Sequence, residues 1–222
     1  SLVGSEMCIR DRMKRISSTF DHRYWTGTAY RSKSHQGETD DRAQAMAVVS
    51  GLAPAGRHKA LLKVLKKEYH ASPYMEKYVL EALFMMGEPD FALERMRNRY
   101  TQMLAYPYTT LFEGWGIGAE GFGGGTINHA WSGGPLTILS QKLCGIEPLE
   151  PGFKCFRVSP QLGALHEASA VVPTLYGDIK VDIKKENHIM TIHVVVPQGT
   201  IAVVALPGRK DKVLPPGSYI LP

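Results

Sequence analysis

The chain has 222 residues, 44% of them apolar and 21% charged, with 22 Gly and 14 Pro, a composition that excludes collagen, a disulfide-rich miniprotein and a largely disordered chain. Its three cysteines, Cys8, Cys144 and Cys155, lack CxxC spacing, so neither a zinc site nor a disulfide framework is indicated; reduced thiols are expected, with a Cys144–Cys155 bridge as the alternative. The net charge is +5, and no apolar run approaches the ~20 residues of a membrane span.

Residues 1–12, Ser-Leu-Val-Gly-Ser-Glu-Met-Cys-Ile-Arg-Asp-Arg, share no period with the rest of the chain. They lack the basic start and apolar stretch of a secretory signal. The segment resembles a translated sequencing adapter, which places the native chain from Met13 onward and leaves the compartment unread.

From Thr39 to about Cys144 the apolar spacing is helical. Thr39 or Asp40 caps a first helix through Ala43, Met46, Ala47 and Val49, closed by Gly51 and Pro54. A second runs from Gly56 to His70 and carries Arg57, Lys59, Lys63, Lys66 and Lys67. Such a stripe suits a nucleic acid or anionic surface, but it lacks any aromatic RNA-binding strand, helix-turn-helix spacing or Cys/His finger and reads as a solvated face. Ser72-Pro73 opens a third helix with Tyr74, Tyr78, Ala82 and Met85/Met86 as its expected core stripe. After Gly87-Glu88-Pro89 comes a fourth, with Ala92, Met96, Tyr100 and Met103 on one face, and Gly134-Pro135 starts a fifth, Leu136 to Leu143. Short links between such helices predict antiparallel hairpins packed side by side.

Beyond Glu147-Pro148-Leu149-Glu150-Pro151-Gly152 the period changes to two. Ile179, Val181 and Ile183 alternate with Lys180, Asp182 and Lys184, and Lys185-Glu186-Asn187 reads as a turn into a strand bearing Met190, Ile192, Val194 and Val196. A further turn at Pro197-Gln198-Gly199 leads to Ile201–Leu206. The fold class is mainly α and then β, with a domain boundary near residue 150 and an antiparallel β-sandwich as the tail.

One loop stands apart from both patterns. Seven of the twelve residues from Gly114 to Gly125 are glycine, a density that neither helix nor strand tolerates and that marks a long functional loop. It is bracketed by Glu113 and Trp115 on one side and by Asn128, His129 and Trp131 on the other. Carboxylate, imidazole and indole are the groups of a sugar site: acid–base chemistry at the glycosidic oxygen or water, and stacking on apolar sugar faces. Helix capping by the Glu and a structural role for the His are the competing readings. The GxGxxG match at Gly116–Gly121 follows no strand and opens no helix, and the P-loop glycine spacing of Gly51–Gly56 is succeeded by Arg57-His58 rather than Lys-Ser/Thr. Neither carries a nucleotide site.

Gly37-Glu38-Thr39-Asp40-Asp41-Arg42-Ala43, Thr109-Thr110-Leu111-Phe112-Glu113-Gly114-Trp115, Asn128-His129-Ala130-Trp131-Ser132-Gly133-Gly134-Pro135 and Gly145-Ile146-Glu147-Pro148 occur in this order. Together they resemble the C-terminal part of the bacterial α-L-rhamnosidases of glycoside hydrolase family 78, over roughly residues 20–206. The resemblance implies part of an (α/α)6 six-hairpin barrel over residues 13–147, followed by a small antiparallel β-sandwich over 148–222. It also implies hydrolysis of terminal α-L-rhamnosides with inversion, the partner being a rhamnose-containing oligosaccharide or glycoside. Glu113 falls on the family's general base, expected as a carboxylate facing a water, with its partner acid about 6.5–9.5 Å away. His129 matches a sugar-binding histidine. Asn128 belongs to the same motif; Trp115 and Trp131 join by proximity as stacking residues, and Asp40 and Asp41 as candidates at the barrel mouth, with plain N-capping the alternative. Phe112 stands where many members have Trp, and Gly114 where many have Arg. The family's general acid lies in an earlier carboxylate-rich segment that has no match here.

The leading expectation is therefore a fragment of an inverting α-L-rhamnosidase, inactive alone, with no metal and no organic cofactor. The alternatives are a carbohydrate-binding protein on the same scaffold and an (α/α)6 glycosidase of another specificity, for instance toward a uronic-acid-bearing sugar. Oligomeric state and localisation stay open.

Overall fold

The structure is a computed structural model that describes residues 2–117, 125–187 and 189–222. The chain divides into two compact units, Ser1–Gly87 and Glu88–Pro222.

The first unit contains α1 (Leu2–Tyr24), α2 (Asp41–Val49), α3 (His58–Lys67) and α4 (Pro73–Met85). Helix α1 runs unbroken across Arg12–Met13, and Glu6 to Thr19 are all exposed. Its last turn is anchored: the Tyr30 hydroxyl donates to Asp21 at 2.7 Å, and Arg57 pairs with Asp21 at 2.7 Å while stacking 4.3 Å above Trp25. Burial, then the bond to Asp21, pushes the Tyr30 phenol up to about 12. Buried Gln44 acts as a substitute backbone, accepting from the Tyr30 N–H at 2.7 Å and donating to its carbonyl at 2.9 Å. Asp40, in extended conformation, caps α2 by accepting from the Arg42 N–H at 2.8 Å. Ser72 caps α4, with Pro73 in the first turn, as the sequence predicts.

Two helical expectations need correction. Helix α3 stops at Lys67 because Glu68 is already extended, part of the non-helical run that delivers Ser72 to its cap before Pro73. The core stripe of α4 is Val79, Leu80, Leu83 and Phe84 alongside Ala82, whereas Tyr74 and Met85 are exposed. The branched and aromatic side chains at i, i+3 and i+4 define the buried face, and the amphipathic Tyr and flexible Met take its margin. On α3, Leu61 and Leu65 face inward, and Lys59, Lys63, Lys66 and Lys67 lie outside that buried pair. An apolar groove of about 510 Å³ lined by Phe20, Tyr24, Tyr30, Ala43, Met46 and Leu52 lies along this unit. Among the described residues, no helix is long and apolar enough to cross a membrane.

The second unit begins with α5 (Pro89–Leu104), which buries Ala92, Met96, Tyr100 and Met103 as their spacing predicts. The expected helix over 136–143 is a short α6 (Gly134–Ile138) that widens into a π-helical turn at Leu139–Leu143. Among the described residues eight strands complete the unit: β1 (Ile146–Pro148), β2 (Cys155–Val158), β3 (Glu167–Thr174), β4 (Gly177–Glu186), β5 (Ile189–Val196), β6 (Ile201–Val204), β7 (Lys212–Leu214) and β8 (Gly217–Leu221). They form two four-stranded sheets, ordered β1-β2-β6-β7 and β3-β4-β5-β8. The second sheet is antiparallel throughout. The first departs from the expected all-antiparallel tail, because β2 and β6 pair in parallel, Phe156 against Ala202. Phe156, Val158, Val181, Ile192, Val194 and Ala202 are fully buried in one core, each sheet contributing its apolar face.

Two close approaches lock this unit. Gly145, at φ +75°, lies so near the Ser159 carbonyl group that any Cβ would overlap it. The Asp90 carboxylate in the first turn of α5 accepts from the Ala164 N–H at 2.5 Å. All three cysteines are free thiols, and burial pushes Cys144 up to about 11.

Candidate active site

The sequence places Glu113 and His129 on opposite sides of a glycine-rich stretch, of which residues 118–124 lie outside the described residues. Hydrogen bonds bring the two flanks together. The Glu113 N–H donates to the Thr126 carbonyl at 2.9 Å, the His129 N–H donates to the Leu111 carbonyl at 2.9 Å, and the Thr110 hydroxyl donates to the Ile127 carbonyl. Beneath them Phe112 is buried, edge-on to Tyr106 at 5.3 Å, its N–H directed at the Met103 sulfur at 3.4 Å. The buried Ser132 hydroxyl donates to the Phe112 carbonyl. A hydrophobic residue thus anchors the segment, and its neighbour Glu113 is half-buried at the surface above it.

The Glu113 carboxylate oxygen Oε2 accepts from the Thr126 N–H at 3.0 Å and from its hydroxyl at 3.3 Å. The same hydroxyl lies 2.8 Å from His129 Nδ1, which is itself 3.7 Å from Glu113 Oε2. The His129 ring stands 4.1 Å from the Trp131 ring at an interplanar angle of 37°, and the Trp131 indole N–H points to the Glu113 carbonyl at 3.4 Å. Trp131 is 44% exposed, an indole face presented to solvent beside a carboxylate and an imidazole.

The other expected residues are placed differently. Trp115 is half-buried, edge-on to Tyr100 at 5.0 Å, with the Arg99 guanidinium 4.3 Å above its ring, so one face is already covered. The next N–H, of Gly116, donates to Gln102 Oε1 at 2.7 Å, tying this flank to α5. Asn128 is exposed next to His129. Asp40 and Asp41 belong to the first unit: Asp40 is the α2 cap, its carboxyl held below the usual range chiefly by Arg42, and Asp41 is the buried first residue of α2. Sequence reasoning misses Thr126 and Ser132. Thr126 carries no periodic signal at the end of a glycine run, and Ser132 shows its role only through the burial of its hydroxyl.

Among the described residues, one group could hold a metal ion: Glu38, Glu68 and His70 in the first unit, whose ligand atoms lie within 4.8 Å of one another. Glu68 is also paired to Lys67 at 2.9 Å, the main cause that holds its carboxyl below the usual range. Sequence spacing does not signal this group, because one loop supplies Glu38 and the non-helical segment after α3 supplies Glu68 and His70.

Residues 145–219 match the bacterial alpha-L-rhamnosidase C-terminal domain family. An alpha-L-rhamnosidase of Formosa agariphila is 32% identical over 144 residues, covering 60% of this chain and 16% of that protein. That alignment is longer than the matched C-terminal domain and so reaches into the helical part. The chain is similar to α-L-rhamnosidases. A GH78 family rhamnosidase of Bacillus sp. GL1 superposes with a TM-score of 0.72 at 25% identity, over 89% of this chain and 23% of that one. A Streptomyces avermitilis α-L-rhamnosidase, solved in complex with L-rhamnose, gives 0.77 at 18% identity over 95% of this chain and 24% of that one. The chain therefore spans about a quarter or less of the length of these rhamnosidases, and its helices and sandwich share the fold of the regions matched.

Proposed function

We propose that this chain is the C-terminal part of an inverting α-L-rhamnosidase. In this reading residues 13–147 are late helices of an (α/α)6 barrel, residues 148–222 the sandwich, and residues 1–12 a non-native leader. Glu113 is the general base, and the general acid comes from a part of the enzyme outside this chain. The observation that carries the reading is the Glu113 carboxylate itself: half-buried, its described hydrogen bonds falling on Oε2, beside an imidazole and an exposed indole. An oxygen held this way leaves Oε1 for a water that attacks the anomeric carbon as Glu113 takes its proton. His129 and Asn128 bond sugar hydroxyls, and Trp131 stacks on an apolar sugar face. The rhamnose bound by the Streptomyces relative supports L-rhamnose as the sugar.

The test is to give the full-length protein carrying this chain an aryl α-L-rhamnoside and follow the first-formed sugar by proton NMR. The β-anomer of L-rhamnose is expected. Release of the α-anomer first would remove the general-base role of Glu113. Binding of rhamnose with no release would favour a sugar-binding protein on this scaffold, and release of a different sugar another glycosidase specificity.

A further inference from the structure

The hydroxyl of Thr126 touches both functional side chains at once, and its single proton decides how. An ionised carboxylate only accepts, so the 3.3 Å contact to Glu113 Oε2 is attractive only when Thr126 donates to it. Oγ1 must then accept at its 2.8 Å contact with His129, which places the imidazole proton on Nδ1. The reverse assignment, with Thr126 donating to Nδ1, would set lone pairs of Oγ1 and Oε2 against each other. The proton order is therefore Nδ1–H to Oγ1–H to Oε2, with the Thr126 N–H as a second donor to the same carboxylate oxygen at 3.0 Å.

Resting on the rhamnosidase reading, we propose that Thr126 is a positioning residue. It holds Glu113 and His129 to one hydroxyl and fixes His129 as the Nδ1–H tautomer, so that Nε2 is an acceptor and selects a donating sugar hydroxyl. A second contact keeps the ring in place, since His129 packs against Trp131 with ring centres 4.1 Å apart. The tautomer of a functional histidine is set by what its other nitrogen bonds, and here that partner is tied to the base. In this role Thr126 acts through Glu113 and His129, the two side chains it bonds.

Two variants separate the hydroxyl from the fold. Thr126→Val keeps shape and the backbone N–H to Glu113, and Thr126→Ser restores the hydroxyl. The ring nitrogens of His129 are read by 15N NMR of the histidine-labelled 222-residue chain, with His129→Gln giving the assignment. Wild type and Thr126→Ser are expected to show the Nδ1–H tautomer with matching shifts, and Thr126→Val a displaced pattern. An Nε2–H tautomer in wild type, or a Thr126→Val spectrum identical to wild type, would overturn the proposal whatever the protein hydrolyses. In the full-length enzyme, Thr126→Val is expected to lower kcat about ten- to hundredfold with KM within about threefold, and Thr126→Ser to recover most of it. Active wild type with unaffected Thr126→Val turnover refutes this inference alone. Inactive wild type that keeps the Nδ1–H signature refutes the rhamnosidase reading and leaves the positioning of His129 by Thr126 standing.

Discussion

The buried Ser132 hydroxyl donates to the carbonyl of Phe112. This bond fastens the residue before Glu113 to the 3-10 turn Ala130–Gly133 that comes after His129. The Glu113 carboxylate and the His129 imidazole thus share one support, although sixteen positions separate them in sequence. Removal of the hydroxyl by Ser132→Ala leaves a buried carbonyl without its donor. The expected cost is about 1–3 kcal/mol, read from denaturant unfolding. An unchanged midpoint would show that the Phe112 carbonyl is satisfied in another way.

Two glycines with nearly the same backbone angle should respond differently. Gly145 (φ +75°) has the Ser159 carbonyl group in the space a Cβ would fill, whereas Gly152 (φ +68°) has nothing within 4 Å of that point. Gly152→Ala meets only the left-handed backbone penalty, about 1 kcal/mol. Gly145→Ala adds a clash with main chain that cannot swing aside, and should cost about 3 kcal/mol or more. Equal melting temperatures for the two variants would contradict the packing described.

The cap of α2 gives a pH signature. The Arg42 guanidinium holds the Asp40 carboxyl below its ordinary value of 3.8, so the unfolded chain binds a proton there before the folded one does. The resulting stability is present above pH 3.8 and is lost as pH falls through the lower folded value. Asp40→Asn keeps a capping side chain but not the carboxylate, so it should give up this contribution at neutral pH and flatten the acid-side loss. Asp40→Ala should cost about 1 kcal/mol at neutral pH as well. Thermal unfolding of the three proteins between about pH 2.5 and 7, the span the titration covers, measures both effects.

Thiol chemistry reports the sandwich core directly. Cys8 is exposed, Cys155 half-buried and Cys144 buried, with its thiol pushed up to about 11. Alkylation of the native chain at about pH 8, close to a free thiol's usual pKa, should therefore modify Cys8 first and Cys155 next. Cys144 should react only when the fold opens. Mass spectrometry of timed samples gives the order, and early loss of the Cys144 thiol would contradict its burial.

How much the sequence discloses depends on the signal each residue type carries. Ser72-Pro73 announces a helix start because cap and fixed φ are local properties, and the β4–β5 hairpin is legible because alternation is local too. The parallel pairing of β2 with β6 is not legible: alternation states which face a strand buries, never which strand lies beside it. Tyr74 and Met85 share a helical period with the core yet sit at its edge, since helical periodicity does not say where a broad face ends. Glu113 and His129 are singled out by two of the four ordered motifs and by the glycine-rich stretch between them. Thr126 is invisible to that reading, because its contacts to Glu113 and His129 exist only where two chain segments meet. The covered face of Trp115 is likewise a tertiary fact, supplied by Arg99.

The central claim is that the Glu113 carboxylate activates water. Glu113→Gln keeps the size of the side chain and an oxygen that can accept from Thr126, but removes the base. The measurement is kcat of the full-length protein and its Glu113→Gln variant on an aryl α-L-rhamnoside, with matched unfolding curves for both. General-base action predicts a fall of about 10²–10⁴ with the fold intact. Turnover within about twofold of wild type, less than the loss of even one modest catalytic contact, would contradict it.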